Sequence, residues 1–164
     1  MANESILTAI KTGMKGESDS VTTYESAAGS AETDVRDFFL ERADEEKRHY
    51  NWLLAYYKEI AAGKNPEKDL IENAEPARSP IITQDFLKRI GTSKQLSAAV
   101  ATAVLLEANS IRYYRKCAEE SLHPALKLFY DKLAAWEDKH YHDLLTIQEE
   151  SERYFWDVNN WQPF

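Results

Sequence analysis

Ala43-Asp44-Glu45-Glu46-Lys47-Arg48-His49 is echoed later in the chain by Ala134-Ala135-Trp136-Glu137-Asp138-Lys139-His140. Both stretches lie within lines of residues spaced by three and four. The first line reads Val35, Phe39, Arg42, Glu46, His49, Leu53, Tyr56 and Ile60, the second Leu126, Phe129, Leu133, Glu137, His140, Leu144 and Ile147. That spacing keeps each line on one face of an α-helix. In both, a glutamate and a histidine one turn later occupy positions that an amphipathic helix gives to its core.

Two further segments carry the same period. One runs through Ile6, Ile10, Gly13, Glu17, Val21, Tyr24 and Ala28, the other through Leu96, Val100, Ala103, Glu107, Ser110, Tyr114, Cys117 and Ser121. The expected helices are therefore about 4–29, 34–62, 94–121 and 124–152. Gly29 to Asp34 separates the first pair, with Thr33 or Asp34 as the expected N-cap. Ser121 to Pro124 separates the second, and Pro124 suits a first helical turn. Both breaks are short, so each pair should fold as an antiparallel hairpin. Between the hairpins, residues 63–93 contain Pro66, Pro76 and Pro80 and lose the long pattern. They read as a crossover with one short helix, Thr83 to Ile90. Residues 153–164 form an aromatic-rich tail expected to dock on the bundle or on a second subunit. The fold class is thus all-α, a single domain over 1–164: a four-helix bundle of two hairpins joined by a long crossover.

Composition agrees. The 164 residues include only 5 Gly and 5 Pro, which disfavours a many-turned β-fold. The net charge is −8, with 28 acids against 20 bases. Such a field repels phosphate backbones, so no nucleic-acid partner is expected. The one cysteine, Cys117, excludes a disulfide framework and any cysteine-built metal site within one chain. The most apolar window, Leu96 to Leu106, ends at Glu107 and is too short to span a bilayer. The opening Met1-Ala2-Asn3-Glu4-Ser5 lacks the basic and apolar regions of a signal peptide. A cytoplasmic protein without a membrane partner is the expectation.

The two halves repeat. An offset of 90 maps Glu17 onto Glu107, Tyr24 onto Tyr114 and Ala28 onto Ala118. An offset of 91 maps Phe38 onto Phe129, Glu46 onto Glu137, His49 onto His140 and Leu53-Leu54 onto Leu144-Leu145. The one-residue slip falls in the hairpin turns, where insertion is cheapest. The repeat predicts a bundle with approximate two-fold symmetry.

The repeated polar residues carry the chemistry. A mid-helix glutamate on an apolar line is costly unless it is paired or bound to a cation. Glu17 and Glu46 are equidistant from the first turn, and Glu107 and Glu137 from the second, so each hairpin brings its two glutamates level. His49 and His140 follow one turn along the same face. Packed face to face, the hairpins gather four carboxylates and two imidazoles at the bundle centre. Two divalent cations neutralise four carboxylates. Mixed carboxylate and imidazole donors suit iron or manganese, whereas structural zinc prefers thiolates. The inventory is that of dinuclear carboxylate bundles. A third Glu-x-x-His, Glu120 to His123, straddles a turn and runs into Pro124, and we read it as accidental. Thr12 to Ser20 has poor helix propensity, and Gly13 and Gly16 allow either a close approach or a kink. Ala98, Ala99, Ala101 and Ala103 suit either close helix packing or the wall of a substrate channel.

These residues resemble the ferritin-like superfamily, and most closely the rubrerythrin group. The resemblance rests on Lys15-Gly16-Glu17, Tyr24-Glu25-Ser26-Ala27-Ala28, Phe38-Phe39 and Ala43 to His49, with Glu107, Tyr113-Tyr114 and Leu133 to His140 as the second copy. It covers the four helical segments but neither the crossover nor the tail. It implies two iron ions, with manganese as the alternative, bridged by Glu46 and Glu137. Glu17 and His49 would complete one metal site, Glu107 and His140 the other. Tyr24 and Tyr114 would hydrogen-bond ligand carboxylates, although core packing also explains them. Trp136 and Tyr141 read as packing. Rubrerythrins usually carry a further glutamate where Ser110 stands here, which makes this set look closer to the symmetric six-ligand centre of bacterioferritins. The rubredoxin-like four-cysteine domain has no counterpart. The resemblance thus implies a di-iron oxidoreductase, peroxidase-like, that reduces peroxide or dioxygen with electrons from an external donor such as a rubredoxin-like protein. A homodimer is the expected assembly. Ferroxidase activity, di-iron oxygenase activity and a metal-free interaction bundle are the alternatives.

Overall fold

The structure is a computed structural model that describes residues 3–66, 70–71 and 74–159. Among the described residues there are five helices and no strand: α1 Asn3–Gly29, α2 Thr33–Ala61, α3 Gln84–Gly91, α4 Lys94–Glu120 and α5 Pro124–Val158. The four long helices form the bundle. α1 packs along α2 and α4 along α5 as the two hairpins, and α1 also meets α4. α3 belongs to the crossover and caps one end, against α5, α4 and α2.

The core divides into two apolar clusters. One gathers Val35, Phe38, Phe39, Phe86, Ile90, Val100, Leu144 and Ile147. The other gathers Ile10, Leu53, Tyr56, Tyr114, Leu126, Phe129 and Leu133. The repeated glutamates and histidines are also buried. Among the described residues, no helix is long and apolar enough to cross a membrane.

Local chemistry sets the helix ends. Thr83 caps α3, its hydroxyl accepting the Phe86 N–H at 3.1 Å, and Ser93 caps α4 by accepting the Leu96 N–H at 3.2 Å. Pro124 opens α5. At α2 the expectation is corrected: the N-cap is Glu32, not Thr33 or Asp34, and it makes no side-chain cap. Thr33 sits at φ 55°, an uncommon conformation for a β-branched residue. Its hydroxyl donates to the Glu32 carbonyl, while the Asp34 carboxylate accepts the Val35 N–H and a bond from Arg89.

The last helix is longer than expected. α5 continues to Val158 instead of ending near 152, so the first part of the aromatic segment is helical. No Gly or Pro interrupts 125–158, and Gln148–Glu152 and Glu150–Arg153 pairs support the extra turns. Phe155 and Trp156 line an open cleft with Gly91, Thr92 and Lys94. The expected docking of the end of the tail falls on 160–164, outside the described residues.

Gly13 resolves the oddity in the first segment. α1 is α-helical throughout, and a Cβ at Gly13 would stand 3.3 Å from both Leu53 Cδ1 and the Tyr114 ring. The glycine serves close approach between three helices, not a kink.

Candidate metal centre

Glu17 on α1, Glu46 and His49 on α2, Glu107 on α4, and Glu137 and His140 on α5 all come together at the bundle axis, each at most 1% exposed. They form two overlapping groups. Glu17, Glu46, His49 and Glu137 make one, and Glu46, Glu107, Glu137 and His140 the other. Within each group the candidate donor atoms lie within 4.8 Å of one another. Glu46 and Glu137 belong to both.

The two imidazoles face each other nearly parallel, 13° apart with centroids separated by 6.0 Å. His49 Nδ1 lies 3.6, 3.4 and 2.9 Å from oxygens of Glu17, Glu46 and Glu137. His140 Nδ1 lies 3.2, 3.9 and 3.4 Å from oxygens of Glu46, Glu107 and Glu137. None of these contacts has hydrogen-bond alignment: both ring nitrogens of each histidine, both Glu137 oxygens, Glu46 Oε1 and Glu107 Oε2 are buried without a hydrogen-bond partner. Buried polar atoms are nearly always satisfied, so this concentration of orphans needs an explanation. A cation supplies one. Donors about 2.1 Å from a common octahedral ion stand about 3 Å apart, which is the scale of the separations here. The residues therefore fit a metal pair.

Burial pushes the Glu17 and Glu107 carboxyls well above the usual range, and the charges of Glu137 and Glu46 push them further. Burial also opposes ionisation of Glu46 and Glu137, but a hydrogen bond with Glu17 and then the two imidazoles hold Glu46 below the usual range, and the imidazoles hold Glu137 below it. The histidines are raised despite burial because carboxylates surround them. Without a metal, protons must do what two cations would do.

The outward contacts are ordered. The Tyr24 hydroxyl donates to Glu107 Oε1 and the Tyr114 hydroxyl to Glu17 Oε1, so each hairpin holds the other's glutamate. Trp136 packs on His49 and on Trp52, and Tyr141 packs against the core. Glu120 and His123 lie at the turn, away from the centre.

Two buried charged residues beside the centre escape the sequence reading. Glu45 is buried with its Oε2 3.0 Å from His140 Nε2 and 2.9 Å from Arg42 Nη1, and its Oε1 accepts the Ala77 N–H at 2.5 Å. Burial alone would raise its carboxyl, but His140, the Ala77 N–H and Arg42 together bring it down to about 2. Arg42 stands on the apolar line of its helix, and an arginine there with a glutamate three residues on is the available signal.

Ser110 lines a pocket of about 240 Å³ between α1 and α4, with Gly13, Gly16, Asn109, Tyr113 and Tyr114. Its inner wall carries the tyrosine that holds Glu17.

Neither a search of curated proteins nor a search of solved structures returns a match. A family model does: Rubrerythrin matches residues 9–148, a span that runs from the first turns of α1 through the crossover and well into α5. With the hairpin repeat, the bundle and the clustered carboxylates already in place, that match settles the relationship: the chain belongs to the rubrerythrin family, within the ferritin-like superfamily.

Proposed function

We propose that the protein is a non-haem di-iron redox protein that reduces peroxide or dioxygen. The observation that carries this reading is the pair of overlapping donor groups sharing Glu46 and Glu137. Those two carboxylates would span both ions, Glu17 and His49 would complete one position, and Glu107 and His140 the other. Iron bound there would supply the redox chemistry, two electrons that with two protons turn peroxide into two waters.

The rest is done by the chain. Tyr24 and Tyr114 orient Glu107 and Glu17 through their hydroxyls. Glu45 faces His140 Nε2 and so favours the tautomer that presents Nδ1 to the centre. Burial of all six donors keeps bulk water out and strengthens each electrostatic interaction. An external electron donor, such as a rubredoxin-like protein, would return the centre to its reduced state.

Ferrous-iron oxidation as the end in itself is a second reading, favoured by Ser110, which leaves the centre with six donors instead of seven. Hydroxylation of an organic substrate is less well supported. Ala98 and Ala99 line an open groove with Ala27, Thr22, Thr23, Ser26, Gln95 and Thr102, none of them a member of the donor cluster, and Ala103 is buried in the core.

The test is anaerobic loading with Fe(II), followed in parallel by peroxide and by air, reading the near-ultraviolet absorption of the oxidised centre. Faster oxidation by peroxide supports the peroxidase reading. Faster oxidation by air moves the assignment to ferroxidase chemistry.

A further inference from the structure

The sequence repeat makes the donors of the two half-sites equivalent, but it does not make their surroundings equivalent. The offset of 91 that carries His49 onto His140 carries Glu45 onto Trp136 and Trp52 onto Asp143. An acidic pair therefore stands on one side where a tryptophan pair stands on the other. The structure shows what each pair does. His49 stacks on Trp52 at 5.7 Å and packs on Trp136 at 5.6 Å, and its carboxylate contacts, to Glu17, Glu46 and Glu137, are all made through Nδ1. His140 Nε2 has Glu45 Oε2 at 3.0 Å. Arg42 Nη1 donates to the same oxygen at 2.9 Å, and the Ala77 N–H holds the other oxygen. The guanidinium itself lies 3.7 Å from Asp143 Oδ2 and donates to the Arg78 carbonyl at 3.2 Å. Arg42 and Glu45 are both essentially unexposed, so water screens neither.

A histidine that gives Nδ1 to a metal keeps its proton on Nε2. An acceptor at Nε2 fixes the ring and strengthens it as a donor, an effect generally worth about 10–100-fold in metal affinity. Only His140 has a carboxylate within ion-pair distance of Nε2, Glu45 at 3.0 Å, placed to accept that proton once Nδ1 is given to a metal. The other imidazole holds its orientation by ring packing alone and leaves an N–H against aromatic faces.

We propose that Glu45, clamped by Arg42, is a positioning residue for His140, and that it makes the Glu107/His140 half the tighter of two unequal metal positions. The ligand class is a divalent transition-metal ion. The inference rests on the dinuclear reading above and adds an order of filling to it. The first equivalent enters beside His140 and the second beside His49.

The test is equilibrium titration of the chelator-stripped full chain with Co(II) against a competing chelator, read by the visible absorption of bound Co(II). The expected result is two steps whose dissociation constants differ by at least about tenfold. His140→Ala should remove the tight step and His49→Ala the weak one. Glu45→Gln should weaken the tight step by about 10–100-fold and leave the weak step unchanged. A merely structural role would weaken both steps together. Glu45→Gln leaves Arg42 buried without its partner, so the double variant Arg42→Met/Glu45→Leu, which removes both charges, serves if the single variant does not fold. Two steps of equal affinity in the unaltered chain, or a Glu45 variant that shifts both constants alike, overturn the inference while leaving the dinuclear site intact. Failure to bind two equivalents overturns the dinuclear reading and the inference with it.

Discussion

The hydroxyl of Tyr24, on α1, donates to the carboxylate of Glu107, on α4. The bond crosses from one hairpin to the other, and Tyr114 and Glu17 repeat it in the opposite direction. These two bonds couple the hairpin interface to the position of two candidate ligands. Tyr24 is fully buried among Phe39 and the core of its cluster, so its ring packs while its oxygen works.

Tyr24→Phe keeps the ring and removes the bond. It leaves one oxygen of a buried carboxylate without its donor, which costs about 1–3 kcal/mol. For a chain of this size that is a fall in Tm of a few degrees, about 2–4 °C per kcal/mol. Metal affinity at the Glu107 position should fall by about tenfold as the carboxylate loses its orientation. Thermal unfolding and chelator competition on the same preparation check both expectations.

The acid–base state of the cluster predicts opposite pH trends with and without metal. Glu17, Glu107, His49 and His140 are raised in the folded chain. A raised group stabilises fully below its unfolded pKa and loses that contribution as pH rises through its folded value. Glu45, Glu46 and Glu137 are lowered. Their contribution is present above the unfolded carboxyl pKa and is lost as pH falls through the folded value, about 2 for Glu45. Metal-free protein should therefore be most stable on the mildly acidic side and lose Tm as pH rises past about 6.5. Metal binding takes deprotonated ligands, so the Tm gained on loading should grow over the same range. Calorimetry of both forms at several pH values tests this, and a metal-free Tm that climbs steadily with pH would contradict it.

The glycines give a graded series. A methyl group added at Gly16 would meet nothing within 4 Å, and Gly16→Ala should stabilise α1 by about 0.5–1 kcal/mol. Gly13→Ala meets Leu53 and Tyr114 at 3.3 Å, both buried, so overpacking of about 1–3 kcal/mol outweighs the helix gain. Gly91→Ala puts a carbon 2.6 Å from the Ser151 carbonyl oxygen, a backbone atom that moves only with α5, and should be the most damaging. Denaturant melts of the three variants should rank in that order.

The bundle, the hairpins and the clustering of the six Glu and His residues are legible in the sequence because each is written twice. Period, turn spacing and repeat register all point to the same axis, and local agreement of that kind is what a foldable sequence provides. Single occurrences are harder to read. Glu45 and Arg42 have no counterpart in the second half, where Trp136 and Leu133 stand, so the repeat that exposes Glu46 and His49 hides them. The end of α5, Arg153 to Val158, reads as a tail because Tyr154, Phe155 and Trp156 crowd together there, although no Gly or Pro stops the helix. Gly13 announces a close approach or a kink, and only the positions of Leu53 and Tyr114 decide between them.

The most direct test is the count of Fe(II) bound per chain under anaerobic conditions, in the unaltered protein and in Glu46→Ala/Glu137→Ala. The unaltered chain should bind two ions, and loss of the two shared carboxylates should abolish binding at both positions, because each group of donors depends on both. Substoichiometric iron in the unaltered chain, or two ions retained by the double variant, would show that these six buried residues do not hold a metal pair.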